Sequence, residues 1–248
     1  MGDKRMRYGI ISDIHGNLEA LTATMNALDE HGVDRIVCLG DTVGYGANPN
    51  ECCDIVRERA DVAVLGNHDA MVVGKLALSH CHRVARRAIQ YSQRHVSAEN
   101  IAWLRSLDYS ENEGTTRFCH GSPISVEDFD YVFSLDQAAT LTGHYDELPA
   151  CTFVGHSHRT TAFVVTDRIS FRFHAPQFQI RSAVKYVFNV GSIGQPRDRD
   201  TRSCCVLYDT ESRVVQYLRV PYDVATAATK IVNAQLPPSL GERLYYGA

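Results

Sequence analysis

Excess positive charge is the first thing this sequence lacks. Lys and Arg number 25 against 29 Asp and Glu, for a formal net charge of -4. No overall basic surface points to a nucleic-acid polymer or an anionic membrane as partner. No apolar run approaches the length of a membrane-spanning helix. The opening stretch MGDKRMRYGI passes straight into a strand pattern, without the apolar core of a signal peptide. The eight cysteines include the neighbours Cys52–Cys53 and Cys204–Cys205 but form no CxxC. Several, such as Cys38 in RIVCLG, lie in apolar strand runs. That pattern fits buried free thiols in a reducing compartment, and the expected location is cytoplasmic. There is no internal repeat, low-complexity tract or Pro/Gly-rich linker, so residues 1–248 are read as a single domain.

What is present begins with ordinary composition. A hydrophobic content of 44% and a charged content of 22% fit a soluble globular chain. MRYGIISD is apolar and β-branched, and it ends in Asp13. Leu18, Leu21, Met25 and Leu28 then recur at helical spacing before Gly32. DRIVCLGD is a second strand pattern, and Asn48-Pro49-Asn50 starts a second helix over ECCDIVRERA. DVAVLGN is a third strand pattern. This alternation predicts βαβ units with parallel pairing.

Further along, His82 to Val96 reads as an amphipathic helix, and Ser97 caps AENIAWLRSL. TTRFCHGSP reads as a strand, and Ser134 with Gln137 makes a capping box. The last third changes to short strands: CTFVGHSH, TTAFVVT, RISFRF, KYVFNVGS, SCCVLYDT and RVVQYLRV. Thr166–Arg168 and Thr210–Ser212 are the expected hairpin tips. Asp223 caps a last helix that Pro237-Pro238 stops.

Polar clusters follow five of the apolar runs. They are Asp13-Ile14-His15, Gly40-Asp41, Gly66-Asn67-His68-Asp69, His120-Gly121 and Gly155-His156-Ser157-His158. Sites in open α/β sheets form beyond the carboxyl ends of strands, so the five clusters can converge. Asp13, His15, Asp41, Asn67, His120, His156 and His158 are too many donors for one tetrahedral ion. If Asp41 bridges, each of two ions receives four protein ligands. Mixed His/Asp/Asn donors suit Zn, Fe or Mn better than Ca. Gly40, Gly66 and Gly155 each precede a candidate ligand, where a turn needs positive φ or close approach. In an extended backbone, Asp-x-His and His-x-His place both side chains on one side.

In this order the five blocks resemble the calcineurin-like metallophosphoesterase superfamily, over Met6 to roughly Leu218. The resemblance implies a four-layer α/β/β/α sandwich of two mixed sheets flanked by helices. It implies Asp13, His15, Asp41 and His158 around a first metal, and Asp41, Asn67, His120 and His156 around a second. A metal-bound hydroxide would attack phosphorus, with His68 protonating the leaving oxygen or hydrogen-bonding a phosphate oxygen.

Serine/threonine protein phosphatases and the bacterial symmetrical diadenosine tetraphosphatases continue Gly-Asp with Val-Asp-Arg-Gly. Here Gly44 and Tyr45 replace that Asp and Arg, and Leu65 replaces a second Arg. The bidentate phosphate clamp is therefore missing at both places. Asp69 is the nearest replacement for the Asp that orients the histidine. GDTVGYGANPNEC, CHGSP and NVGSIGQPRDRD are more similar to the compact prokaryotic phosphodiesterase branch. Asn189, Gly191 and Ser192 are placed in a loop near the metals.

The expected activity is phosphodiester hydrolysis of a small or nucleotide-like substrate, with Mn favoured among the metals. Arg197 and Tyr45 are the candidate substrate contacts, Arg197 replacing the clamp. The alternatives are a phosphomonoesterase or dinucleoside polyphosphate hydrolase on the same centre, or a non-catalytic protein-binding scaffold. His31, His80, His82, His95, His144 and His174 match no motif and are read as structural or solvent-facing, with His80 and His82 of interest only if their loop covers the site.

Overall fold

The computed structural model describes residues 6–248. Its first half follows the expected alternation: β1 (Arg7–Ile11), α1 (Leu18–Glu30), β2 (Arg35–Cys38), α2 (Pro49–Arg59), β3 (Val62–Ala63) and α3 (Asn67–Val72). Two more helices follow, α4 (Arg83–His95) and α5 (Ala98–Ser106). The hairpin β4 (Ser110–Glu113) and β5 (Thr116–Cys119) leads to α6 (Leu135–Thr140) and β6 (Cys151–Val154). Then come β7 (Thr160–Val165), β8 (Ser170–Phe173), β9 (Gln177–Gln179), β10 (Lys185–Val190), β11 (Ser203–Asp209) and β12 (Val214–Val220). The chain ends with α7 (Val224–Asn233), α8 (Ser239–Glu242) and a 3-10 turn over Arg243–Tyr245.

The strands form two six-stranded mixed sheets. One has the order β3-β2-β1-β11-β12-β9 and the other β4-β5-β6-β10-β7-β8. In the first, β1, β2 and β3 are parallel, and β11 runs antiparallel beside β1. In the second, β5, β6 and β10 are parallel. This is the four-layer α/β/β/α sandwich that the family resemblance implied.

Period-2 alternation explains the layers. Tyr8, Ile10, Val37 and Leu39 point between the sheets, where they meet Phe118, Phe153 and Phe188. Their neighbours Ile11, Ile36 and Cys38 face outward onto Leu21, Met25 and Leu28 of α1 and Val56 of α2. On the far side, Phe163 and Val187 pack on Ala138 of α6 and on Leu141. Burying each such phenylalanine stabilises the fold by roughly 1.5–3 kcal/mol. Gly9 lets α1 approach, since a Cβ there would meet Leu28 Cδ2 at 2.8 Å.

The local signals act as read. Ser97 caps α5, Asp223 caps α7, Pro49 opens α2, and Ser134 with Gln137 closes a capping box, while Asn17 adds a cap to α1 beyond those read from the sequence. Each side-chain cap contributes about 1 kcal/mol. Three details differ. Only Val62–Ala63 pair as β3, because the chain then leaves β2 and Leu65 N–H donates to Asp108 O. Pro237-Pro238 do not end the helices, since α8 starts immediately after them. β4 is a polar edge strand, and β9 is a three-residue edge strand with only Phe178 turned to the core. All eight cysteines are free, and only Cys81 is not fully buried. Among the described residues, no helix is long and apolar enough to cross a membrane.

Candidate metal centre

The parallel strands deliver the five polar blocks to one place. Asp13 and His15 follow β1, Asp41 follows β2, and Asn67 opens α3 after β3. His120 follows β5, and His156 and His158 follow β6. All are buried except Asn67, which is half-buried.

Two donor groups result. In one, Asp13 Oδ1 lies 3.2 Å from His158 Nε2 and 3.7 Å from His15 Nε2, and the two Nε2 atoms are 3.1 Å apart. In the other, His120 Nε2 lies 3.1 Å from Asn67 Oδ1, and donor atoms of Asp41, His120 and His156 lie within 4.8 Å of one another. Asp41 joins them: its Oδ2 is 3.6 Å from His15 Nε2 and 3.4 Å from His120 Nε2.

Three of the imidazoles are oriented by main-chain carbonyls. Nδ1 of His15, His120 and His158 lies 3.0, 2.7 and 2.6 Å from Val43 O, Leu39 O and Gln195 O respectively. A carbonyl only accepts, so each Nδ1 carries the proton. In the neutral ring, Nε2 then turns its lone pair inward, the tautomer a metal requires. His156 is held differently, with Tyr131 stacked on it at a centroid distance of 3.8 Å.

The backbone pays a cost in strain. Asp13, His15, Asp41, His156 and His158 all have φ between 51° and 62°. The left-handed region costs a non-glycine residue roughly 1–2 kcal/mol, and such strain concentrates at functional sites. It also replaces the extended geometry expected of Asp-x-His and His-x-His. Their side chains converge through a left-handed turn at each end of the triplet. The loop 191–194 straps this turn: Ser192 Oγ and Gly194 N–H both donate to Asp13 O. Asn189 belongs instead to β10, where its amide is engaged by Ser157 and Val132.

Of the three expected glycines, only Gly40 has positive φ. Gly155 serves close approach, since a Cβ there would lie 1.9 Å from Ser12 Oγ and 2.7 Å from Asp13 Oδ2.

His68 packs at 4.5 Å from Tyr45 and 4.8 Å from His15, between ring centroids. Its main-chain N–H donates to Asp41 Oδ1 at 2.8 Å. Asp69 does not orient it. The Asp69 carboxylate accepts main-chain N–H groups of Thr42, Val43 and Gly66 at 3.3, 3.1 and 3.2 Å. His68 Nδ1 is buried without a partner and abuts Gly44, where a Cβ would lie 2.4 Å away. Gly44 thus makes room for the ring. Tyr45 covers His15 and His68, with the Arg197 guanidinium 5.7 Å from its ring centroid. His82, His95, His144 and His174 are solvent-facing, while the His80 side chain lies outside the described residues.

Burial dominates the electrostatics. It pushes His68 down to about 3 against the pull of Asp41, and it holds His156 and His158 well below the usual histidine range. Burial also lowers His120, but the Asp41 charge and hydrogen bond outweigh it and raise that group to about 9. Burial works to raise Asp41, yet the facing imidazoles of His120, His68 and His15 keep it well below the carboxylate range.

The donor set fits cations. Asp13 Oδ1 is buried with no hydrogen-bond donor, and an unpaired buried acceptor costs about 1–3 kcal/mol. The inward lone pairs of His15 and His158 face each other beside it. Both costs are relieved by a positive ion, and the His/Asp/Asn mixture suits Mn, Fe or Zn.

Residues 6–213 match the calcineurin-like phosphoesterase superfamily domain. The chain belongs to that superfamily. It is 37% identical over 242 residues to an uncharacterized protein of Methanocaldococcus jannaschii, covering 96% of this chain and 97% of that one. The crystal structure of a metallophosphoesterase from Sphaerobacter thermophilus superimposes with a TM-score of 0.86 at 33% identity, covering 99% and 100% of the two chains. A hypothetical protein of Pyrococcus horikoshii shares the fold at a TM-score of 0.78 and 19% identity, covering 98% of each chain.

Sequence reasoning missed four contributors to this calcineurin-like centre. Ser12 donates to Asp13 Oδ2 at 2.7 Å, Gln195 anchors His158, Tyr131 covers His156, and Arg243 reaches Gln195. Gln195 lies in the quoted NVGSIGQPRDRD. Nothing in the local sequence marks Tyr131 or Arg243.

Proposed function

We propose that this protein is a dinuclear-metal-dependent phosphoesterase that hydrolyses phosphodiesters. The observation that carries this reading is the position of Asp41 Oδ2 between the Nε2 atoms of His15 and His120. Asp13, His15, His158 and Asp41 would hold one ion, and Asp41, Asn67, His120 and His156 the other. Two bound ions of this kind supply Lewis-acid polarisation and an activated water.

The protein groups do the rest. The carbonyls of Val43, Leu39 and Gln195 keep three imidazoles in the metal-accepting tautomer. Ser12 and the His156 N–H hold one Asp13 oxygen, so that the other faces inward. His68 is neutral in the folded chain, and a neutral imidazole retains one N–H to donate to a phosphoryl or leaving oxygen. Arg197 sits on the Tyr45 side of the centre, where its charge opposes that of a phosphate. Tyr131 offers an aromatic face over His156 for a base or aryl group. Mn is the metal we favour for activity, and the buried free cysteines support a reducing, cytoplasmic setting.

The test is hydrolysis of bis-p-nitrophenyl phosphate and p-nitrophenyl phosphate by chelator-treated protein resupplied with Mn²⁺. Mn-dependent turnover of the diester above the monoester is the expected result. Monoester preference would reject the diester assignment. Loss of all turnover despite bound metal would reject the enzyme reading.

A further inference from the structure

Arg243 lies outside the donor set, yet its guanidinium is tied to it. Arg243 Nη1 donates to Gln195 Oε1 at 3.0 Å, and Arg197 Nη2 donates to the same oxygen at 3.0 Å. Two guanidinium groups therefore meet on one neutral amide oxygen. Among the described residues neither has a carboxylate partner, because the nearby acids are engaged elsewhere. Glu19 pairs with Lys230, Asp198 with Arg219, and Asp200 with Arg202 and Arg219. Like charges placed this way repel, and cations without acid partners near a phosphoester centre are complementary to anions.

Two buried donors in the same group are unused. Arg197 Nε and Gln195 Nε2 have no hydrogen-bond partner, and Gln195 is only 1% exposed. Each unused donor costs free energy that an anion would recover.

The pair is fixed relative to the centre. Arg197 N–H donates to His158 O at 3.0 Å, and His158 Nδ1 donates to Gln195 O. The C-terminal segment that carries Arg243 is held by the Arg199 N–H to Gly247 O bond at 2.9 Å. Gln195 is thus shared: its main chain orients a candidate ligand, and its side chain gathers both arginines.

We propose that Arg197, Arg243 and Gln195 form an anion subsite beside the metal centre, and that the substrate carries a second phosphate joined to the scissile one. This rests on the phosphoesterase reading. The guanidinium fork matches phosphate oxygens two at a time, which Lys does not do. A substrate with one isolated phosphodiester would leave Arg243 unused.

The test is calorimetric titration of the full chain with inorganic phosphate and with inorganic pyrophosphate, Mn-loaded and chelator-treated. In the chelator-treated wild type, pyrophosphate should bind at least about tenfold more tightly than phosphate. Arg243→Gln should bring the two affinities within about threefold, and Arg243→Lys should recover only part of the difference. An undiminished pyrophosphate preference in Arg243→Gln, or no preference in the wild type, would overturn the subsite. If Arg243→Gln fails to fold, Arg243→Lys decides, with full preference again overturning it. Binding is read without turnover. Failure of the phosphoesterase reading therefore registers separately, as absent hydrolysis with pyrophosphate binding intact.

Discussion

The main-chain N–H of His68 donates to Asp41 Oδ1 at 2.8 Å. The proposed substrate-facing residue and the carboxylate common to both donor groups are therefore one mechanical unit. α3 begins at Asn67, so one short helix sets a candidate ligand and His68 together.

His68→Ala removes the ring and keeps that main-chain bond. Metal content should stay at the wild-type level, while turnover falls about 10²–10³-fold, the usual effect of losing a hydrogen-bond donor to the transition state. The loss should be larger for poor leaving groups than for p-nitrophenolate. Metal analysis and steady-state kinetics on two leaving groups check this. Unchanged turnover with the poor leaving group would remove His68 from the chemistry.

Asp69 is a structural residue by its contacts, although it adjoins His68 in sequence. It is fully buried and accepts three main-chain N–H groups that fix the β2 and β3 loops. Asp69→Ala should destabilise the fold by about 3 kcal/mol, because three buried main-chain donors lose their acceptor. Chemical denaturation measures it. Wild-type stability combined with a lost rate would instead make Asp69 a partner of His68.

Asp200 gives a pH signature away from the centre. The hydrogen bonds from Arg202 Nε and Nη2 lower its carboxyl to about 2 from an ordinary 3.8, against a smaller opposing effect of burial. A carboxyl depressed in the folded state stabilises it above about pH 4, and that contribution fades as pH falls towards 2. Solvent screening keeps the effect small. Asp200→Asn should therefore narrow the gap to wild type in urea midpoint as pH drops through this window. A gap that is constant or widens would contradict the assignment.

Much of this was legible because the ligand blocks are short, ordered and placed at strand ends. Asp13, Asp41 and His120 could be located from the apolar runs before them, and the parallel pairing brought them together. The left-handed turns were not legible, since nothing in Asp-x-His distinguishes an extended triplet from one with positive φ at both ends. β4 reads SENE, with no apolar residue, and β9 reads QFQ, with Phe178 alone turned to the core; both are edge strands too short for alternation to mark them. Asp69 misled because adjacency in sequence suggested a pairing that the turn into α3 prevents. Arg243 and Gln195 are 48 residues apart, and only the folded C-terminal turn joins them.

The central claim is that Asp41 serves two metal ions. Metal stoichiometry of the full chain, resupplied with Mn²⁺ and measured by native mass spectrometry, tests it most directly. The account predicts two ions per wild-type chain. It predicts no chain with two ions in Asp41→Asn, together with loss of activity, because one carboxylate faces both donor groups. A single ion in the wild type, or two ions retained by Asp41→Asn with full activity, would contradict it.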